Sequence, residues 1–255
     1  MIERDAFQVA EQDQMGAEMH RLMADLYPIC RSLTGNGVRQ TLHMLNDVIP
    51  LVIHEVPTGT TVFDWTVPQE WNIRDAYIKN SNGDRVVDFQ KSNLHVMGYS
   101  VPVSETMSLA ELLPRLYSLP EHPEWIPQRA SYYKPNWGFS IAHNDLVRLA
   151  EDRYEVRIDS TSSNGAMTYG ECVIPGEQAD EILFSTHICH PSLCNDNLSG
   201  IVIAAYLAKA IAAMPKRRYT YRFLFVPAQL GSLAWLARNQ EACGRIRHGV
   251  VLVAL

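Results

Sequence analysis

One stretch, residues 182–207, limits the possible folds of this chain more than any other. It begins as an apolar run, passes through a polar loop that carries His187, His190 and Asp196, and continues as an apolar segment with helical spacing. This order is typical of a buried strand, a loop at its carboxyl end and a helix. Because ligands of open α/β sheets bind outside the carboxyl ends of the strands, we expect these side chains to face a binding crevice.

Strands and helices alternate on either side of that loop. Helical patterns cover residues 199–214 and 231–239, and strand-like apolar runs cover residues 219–226 and 248–255. This alternation predicts an α/β fold with a mostly parallel sheet and helices on its faces.

The first half of the chain follows a different pattern. Helical spacing over residues 12–26 and 38–48 is followed by short alternating strands, the last at residues 93–100. Residues 81–84 (Ser-Asn-Gly-Asp) predict a hairpin turn, because Asn and Gly readily adopt left-handed conformations. A Pro-rich connector with a short helix capped by Ser108 then follows. We therefore expect a small antiparallel β unit within the chain, and a loop at residues 159–165 after it.

Charge and composition argue against several classes of function. The net charge is −6 and the longest basic run has three residues, so binding to nucleic acid or to an anionic membrane has no electrostatic support. Residues 1–14 lack the apolar segment of a signal peptide, and the most apolar stretch, residues 201–214, is too short to span a membrane. Five irregularly spaced cysteines do not form a disulfide framework. We expect a cytoplasmic protein.

His187, His190 and Asp196 are the candidate metal ligands. Imidazole and carboxylate groups are common zinc ligands, and a loop at the end of a strand can direct them to one point. His190 is either a ligand or a group that orients one. A histidine beside a strand is more often only a hydrogen-bonding residue, so this short motif is a hypothesis.

Two cysteines of the same loop leave a different chemistry open. Either cysteine would serve as a soft metal ligand, or Cys189 paired with a histidine would form the nucleophile of a cysteine-dependent hydrolase. For both Cys189 and Cys194, the commoner role is that of a small buried thiol.

Four other residues are candidates for binding a substrate: Arg31, Arg39, Asn195 and Gln229. The two arginines would hold a substrate carboxylate, and Gln229 lies in the segment after the strand at residues 219–226. That segment carries no carboxylate, whereas a hydrolytic zinc site needs a general base, usually Glu. The catalytic residue therefore stays unassigned.

An aromatic and basic cluster, residues 132–134 (Tyr-Tyr-Lys) with Trp137, has no assigned function. It would line a pocket, or it would serve in surface or inter-domain packing.

Five segments of the chain, in the order in which the family carries them, resemble a bacterial family of aminopeptidase-like proteins. They read PICRSLTGNGVRQTL, FDWTVPQEWNIRDAYI, SYYKPNWGFSIAHN, THICHPSLCNDNLSG and RRYTYRFLFVPAQLGS. The family is associated with polysaccharide biosynthesis and related to the co-catalytic zinc exopeptidases, with a small β domain inserted into the peptidase fold. The resemblance implies a zinc-exopeptidase-like core at residues 1–50 and 128–255, and an inserted antiparallel β domain with its connector at residues 51–127.

The resemblance also implies a metal site. His187 and Asp196 match the first metal ligands, and an Asp at this place bridges two zinc ions in related enzymes. Related exopeptidases carry a Glu-Glu pair where this chain has Ala228 and Gln229, and members of the family continue beyond residue 255. We therefore expect one or two zinc ions, in a core that is incomplete at its C-terminal end.

Two functions remain open. The first is a metal-dependent aminopeptidase-like hydrolase that acts on a small peptide or an amide-bearing metabolite. The alternative is a catalytically inactive binding or scaffold protein, or a truncated fragment without the full metal site. The apolar run at residues 248–255 would leave an exposed sheet edge, which predicts a homo-oligomer.

Overall fold

The computed structural model describes residues 6–255, with side chains from Gln14 onward. The signal-peptide prediction rests on residues 1–14, and nearly all of their side chains lie outside this described part. The helices are α1 (Ala6–Leu26), α2 (Asn36–Asn46), α3 (Leu109–Leu112), α4 (His143–Leu146), α5 (Ser199–Ala213), α6 (Ala228–Arg238) and α7 (Gln240–Cys243). The strands are β1 (Val52–Pro57), β2 (Thr61–Val62), β3 (Trp65–Thr66), β4 (Glu70–Lys79), β5 (Arg85–Asp88), β6 (Val103–Ser108), β7 (Leu116–Tyr117), β8 (Phe139–Ser140), β9 (Arg153–Ser163), β10 (Ala166–Ile174), β11 (Glu181–His187), β12 (Thr220–Val226) and β13 (Ile246–Val251).

The chain divides into two compact units. Unit 1 consists of the residues up to Ile29, together with Val38–Glu55 and Thr168–Leu255. Unit 2 consists of Cys30–Gly37 and Val56–Met167.

Unit 1 is built on a five-stranded sheet with the order β1-β10-β12-β11-β13. β11 pairs in parallel with both β12 and β13, whereas β10 pairs with β12 in antiparallel fashion. Residues 175–180 join β10 to β11, and a parallel connection needs about a dozen residues or more, so the chain reverses direction there. The α/β class is confirmed, and the sheet is mixed.

Helices α1, α2 and α5 supply the apolar core of unit 1. On α2, Leu42 and Leu45 are fully buried, as the helical spacing over residues 38–48 predicts. On α5, Ile201, Val202 and Ala205 are buried in the same cluster, with Phe223 of β12. Burying such side chains contributes about 1.5–3 kcal/mol for each large aliphatic group, so this core fixes the edge of the sheet that carries the polar loop.

The stretch Cys194–Ala213, which joins the polar loop to α5, is long and apolar enough to cross a membrane by length and composition alone. The prediction that no apolar stretch is long enough to span a membrane is therefore wrong, because it considered only the apolar run that begins at residue 201. Most of the stretch, 61% of its most apolar window, is buried inside the structure. Core helices pass the same test, so the stretch is weak evidence for a membrane span.

Unit 2 contains a four-stranded antiparallel sheet with the order β5-β4-β9-β6. The predicted hairpin turn at residues 81–84 is confirmed between β4 and β5, and Gly83 has a positive φ of 88°. The predicted cap is also confirmed. The Ser108 hydroxyl accepts a bond from the Glu111 backbone N–H, and the Glu111 carboxylate accepts one from the Ser108 N–H at 2.8 Å.

Two sequence predictions in unit 2 are wrong. Residues 93–100 are not a strand but a short 3₁₀ turn, Asn93–His95, followed by isolated bridges. Val96 and Met97 are both buried, whereas successive residues of a strand point to opposite faces, and Tyr99 has a left-handed backbone with φ 64°. The predicted loop at residues 159–165 is largely strand, because β9 continues to Ser163 in pairing with β4.

Candidate metal centre

The loop of interest starts where β11 ends, at His187. His187 is paired in register with Val226, the last residue of β12, so both parallel strands end at the same edge of the sheet. The loop continues to Leu198, and α5 begins at Ser199. The polar residues therefore lie at the carboxyl ends of two neighbouring strands, where ligands of α/β sheets bind.

The structure brings the three predicted ligands together. His187 Nε2 lies 2.8 Å from Asp196 Oδ1 and 3.3 Å from His190 Nδ1. His190 Nδ1 lies 3.3 Å from Asp196 Oδ2. One donor atom from each residue falls within 4.8 Å of the other two, and all three residues are partly buried.

These separations fit a zinc ion. Zinc binds nitrogen and carboxylate oxygen at about 2.0–2.2 Å in tetrahedral geometry, which places neighbouring ligand atoms about 3.3–3.6 Å apart. The distance of 3.3 Å between His187 Nε2 and His190 Nδ1 matches this value. The two distances to Asp196 are to different oxygens of its carboxylate, 2.8 Å to Oδ1 from His187 and 3.3 Å to Oδ2 from His190. Three protein ligands with one coordination position left over is the arrangement of catalytic zinc sites.

The charge state of the histidine also suits a metal. Burial lowers the pKa of His187, the neighbouring His190 lowers it further, and Asp196 acts in the opposite direction. The net shift favours the neutral imidazole, which is the form that coordinates metals.

Asn197 holds the loop in place, a role that sequence reasoning missed. Its buried side-chain amide donates hydrogen bonds to Thr186 Oγ1 at 2.8 Å and to the His187 carbonyl oxygen at 3.0 Å. The peptide bond between Asp196 and Asn197 is cis. A Cβ on Gly200 would lie 2.5 Å from the carbonyl oxygen of Leu252, so only glycine fits there. In the sequence, the only sign of this role of Asn197 is its position just before an apolar helix.

A cavity of about 500 Å³ adjoins His187. Its walls come from β11, β12, α6 and β13 and include Val226, Ala228, Gln229 and Ser232. The described residues that line it include no carboxylate. Gln229, a predicted substrate-binding residue, thus lines the same cavity as His187.

The other predicted residues lie as follows. Asn195 is exposed in the loop, and its carbonyl oxygen accepts a bond from Ser199 Oγ. Arg39 is bound to Glu55 on β1, which β10 and β12 separate from β11, so it is not brought to the cluster. Arg31 is buried and belongs to unit 2. Cys189 is buried and Cys194 is exposed.

Comparison with known proteins places this chain. The family described as "Domain of unknown function (DUF4910)" matches residues 20–255. The chain belongs to this family. A relative from Clostridium acetobutylicum, named as a candidate polysaccharide biosynthesis protein with an aminopeptidase-like domain, is 52% identical over 243 residues. The match covers 95% of this chain and 56% of the relative, so the chain spans little more than half of that protein. The resemblance found in the five sequence segments is confirmed.

Two solved structures resemble this chain in fold. The crystal structure of a candidate peptidase from Clostridium acetobutylicum has a TM-score of 0.92 and 53% identity, over 93% of this chain and 56% of that one. A zinc aminopeptidase from Bacillus subtilis has a TM-score of 0.58 and 10% identity, over 92% of this chain and 69% of that one. At that identity the likeness shows the fold alone, which is the aminopeptidase-like α/β fold.

Proposed function

We propose that this chain is the metal-binding part of an aminopeptidase-like hydrolase that acts on a small peptide or an amide-bearing metabolite. The convergence of His187, His190 and Asp196 at the carboxyl end of β11 carries the proposal. The cavity beside His187 and the family's aminopeptidase-like fold support it.

In this proposal His187, His190 and Asp196 would hold one or two zinc ions. Bound zinc supplies a Lewis acid that polarises a carbonyl and lowers the pKa of water. The chain's own groups bind and orient the substrate. The apolar side chains of Val226, Leu233 and Val251 would pack on it, and Gln229 and Ser232 would hydrogen-bond its amide.

Metal content tests the proposal. The purified chain, dialysed against zinc, would be analysed for bound metal, together with the double variant His187→Ala, Asp196→Ala. A variant of His20, an exposed histidine of α1, to Ala serves as the matched control. We expect near-stoichiometric zinc in the wild type and the control, and its loss in the double variant. Equal zinc in all three proteins would refute the site.

A second function, binding without hydrolysis, is favoured by one observation. The described residues that line the cavity carry no carboxylate to take up a proton, and Gln229 cannot act as a base. The protein would then bind an amide ligand at the metal centre and release it unchanged.

Incubation of the zinc-loaded chain with a panel of aminoacyl amides and dipeptides separates the two functions. Mass spectrometry would detect cleavage, and calorimetry would detect binding. Products that depend on His187 support the hydrolase. Binding that depends on His187 and yields no product supports the second function.

A further inference from the structure

Unit 2 contains a cavity of its own, with a volume of about 310 Å³. The aromatic and basic cluster of the sequence contributes much of its lining. Tyr132, Tyr133 and Lys134 line this cavity with Tyr99, whereas Trp137 packs on Phe139 and under Arg115. We call this cavity the tyrosine pocket, and no part of the metal centre belongs to it.

The inner wall of the tyrosine pocket is firmly held. The buried ring of Tyr99 stacks on Trp71 with centroids 5.6 Å apart, and Tyr132 meets Tyr99 edge-on at 5.5 Å. The Tyr99 hydroxyl lies 2.6 Å from Thr34 Oγ1, and Trp71 Nε1 donates to the Ser100 carbonyl oxygen at 3.0 Å. Stacked and edge-on aromatic pairs with their polar atoms bonded form a rigid apolar wall.

The backbone of Tyr99 is unusual for its residue type. Its φ of 64° lies in the left-handed region, which bulky residues seldom adopt. Such conformations persist only where the surroundings enforce them, and they concentrate at ligand-binding sites. Here the conformation presents the ring to the pocket while the hydroxyl reaches Thr34.

One of the lining residues, Tyr133, also belongs to an exposed aromatic pair. Tyr133 is 53% exposed and lies 5.6 Å from the ring of Trp65, itself 37% exposed. The hydration of two large exposed rings side by side is unfavourable, and a ligand ring packed on them would remove part of this surface from water. Burial raises the pKa of both Tyr99 and Tyr133, so their phenol groups remain neutral.

The lining of the pocket carries a single positive charge, whereas the Glu70 carboxylate, outside the lining, helps to raise the pKa of Tyr99. Among the described residues that line the pocket, Lys134 carries the only charge, and Lys134 forms no ion pair in the described part of the chain. The exposed side chains of Gln69 and Ser162 add hydrogen-bonding groups. A mostly apolar cavity with a few polar groups and one charge is typical of a small-molecule site.

We infer that the tyrosine pocket binds a small ligand that combines a ring with an apolar face and an anionic group, a carboxylate or a phosphate. The ring packs on Tyr132 and Tyr133, and the anion lies near the Lys134 ammonium. Gln69 and Ser162 bind polar substituents of the ring. Aromatic acids and acidic sugars share this chemistry. The two classes differ in how much binding free energy comes from packing on the aromatic wall and how much from hydrogen bonds to Gln69 and Ser162.

The test uses the full chain and four probes in matched pairs: benzoate with benzyl alcohol, and glucuronate with glucose. Saturation-transfer NMR would detect binding, and titration would give the dissociation constants. We expect at least one anionic probe to bind at least about threefold more tightly than its neutral partner, since an exposed ion pair contributes up to about a fivefold difference. The probe that binds identifies the class.

Paired variants locate the binding. Lys134→Gln is expected to weaken the anionic probe about threefold and Lys134→Arg to preserve it. Tyr133→Leu is expected to weaken it about threefold to tenfold and Tyr133→Phe to preserve it, as aromatic packing predicts. Lys91→Gln and Trp125→Leu, at exposed positions of the same unit, serve as controls.

Three results would overturn the inference. These are the absence of saturation transfer for every probe, equal affinity for anionic and neutral probes, and binding that Lys134→Gln and Tyr133→Leu leave unchanged. All the altered side chains are exposed, and circular dichroism would check that each variant folds. If one variant of a position failed to fold, its conservative counterpart and the other position would still decide the matter.

Discussion

The side-chain amide of Asn197 donates a hydrogen bond to the carbonyl oxygen of His187, 3.0 Å away. The same amide donates to Thr186 Oγ1, and the Thr186 hydroxyl donates to the carbonyl oxygen of Leu252. A buried network thus ties the strand that carries His187 to the loop that carries Asp196. The spacing of the proposed ligands depends on a residue that is not itself one of them.

Replacement of Asn197 by Ala should therefore weaken zinc binding without removing a ligand. We expect a loss of about 10-fold to 100-fold, the range found when partners that orient metal ligands are changed. Competition with a chromophoric chelator would measure the affinity. Asn195→Ala, at an exposed position of the same loop, is the control and should retain affinity. An unchanged affinity in a folded Asn197 variant would show that the network is dispensable.

A carboxylate introduced near His187 should create or increase hydrolysis. Ala228 and Gln229 occupy the start of α6 beside the cavity. We expect Ala228→Glu or Gln229→Glu in the zinc-loaded chain to raise amide cleavage about 100-fold or more, the usual contribution of a general base. Ala228→Gln controls for side-chain size. Failure of both Glu variants, with zinc still bound, would mean that a missing base is not what limits the reaction.

Local chemistry explains which parts of the fold could be predicted. The hairpin turn at residues 81–84 and the Ser108 cap depend on neighbours within a few residues, and both are found as predicted. Residues 159–163 are polar and read as a loop, yet they remain in β9. Their partners on β4, such as Ile73 opposite Ser160, are about 90 residues away, and no local pattern reveals that pairing.

The same distinction applies to the metal centre. His187, His190 and Asp196 could be proposed because all three lie in one loop at a strand end. The function of Asn197 and the requirement for glycine at position 200 depend on Leu252, more than 50 residues later. Such contacts exist only in the folded sheet.

Glu181 should make the stability of unit 1 sensitive to acid. Its buried carboxylate accepts bonds from Arg222 at 2.6 and 3.0 Å and from Arg245 at 2.8 Å. Burial acts to raise the pKa of Glu181, but the two arginines outweigh it and the net shift is downward. A lowered pKa contributes stability above the unfolded-state pKa of Glu, and this stability is lost as the pH falls through the folded-state pKa.

Chemical denaturation at a series of pH values, from neutral pH down to below the folded-state pKa of Glu181, checks the prediction. Glu181→Gln should lower the free energy of unfolding at pH 7 by about 3 kcal/mol, because it leaves a buried charge partly unpaired. The difference from wild type should shrink as the pH falls below the unfolded-state pKa. Asp180→Asn, in an exposed pair with Arg247, should have no measurable effect. A difference that is constant with pH would contradict the assignment.

Thiol reactivity should separate the cysteines by burial. Cys194 is exposed, whereas Cys189 is buried, and burial raises the pKa of Cys30 to about 12 against a small opposing effect of Arg31. Since the thiolate is the reactive form, we expect Cys194 to react rapidly with a disulfide reagent in the native protein and Cys30 and Cys189 to react only after unfolding. Mass mapping would assign the sites. Rapid labelling of Cys189 that inactivated a chelator-insensitive hydrolysis would instead support the cysteine-dependent alternative.

Strand β13 should promote self-association. It forms an edge of the five-stranded sheet, and Val250 and Val251 on it are exposed. An exposed apolar edge strand offers unpaired backbone groups to a second chain. Sedimentation velocity should therefore show a mass that increases with protein concentration, and Val251→Lys should shift the protein toward monomer. Val173→Lys, at an exposed position of the inner strand β10, is the control and should leave association unchanged. A monodisperse monomer at every concentration would show that this edge does not pair.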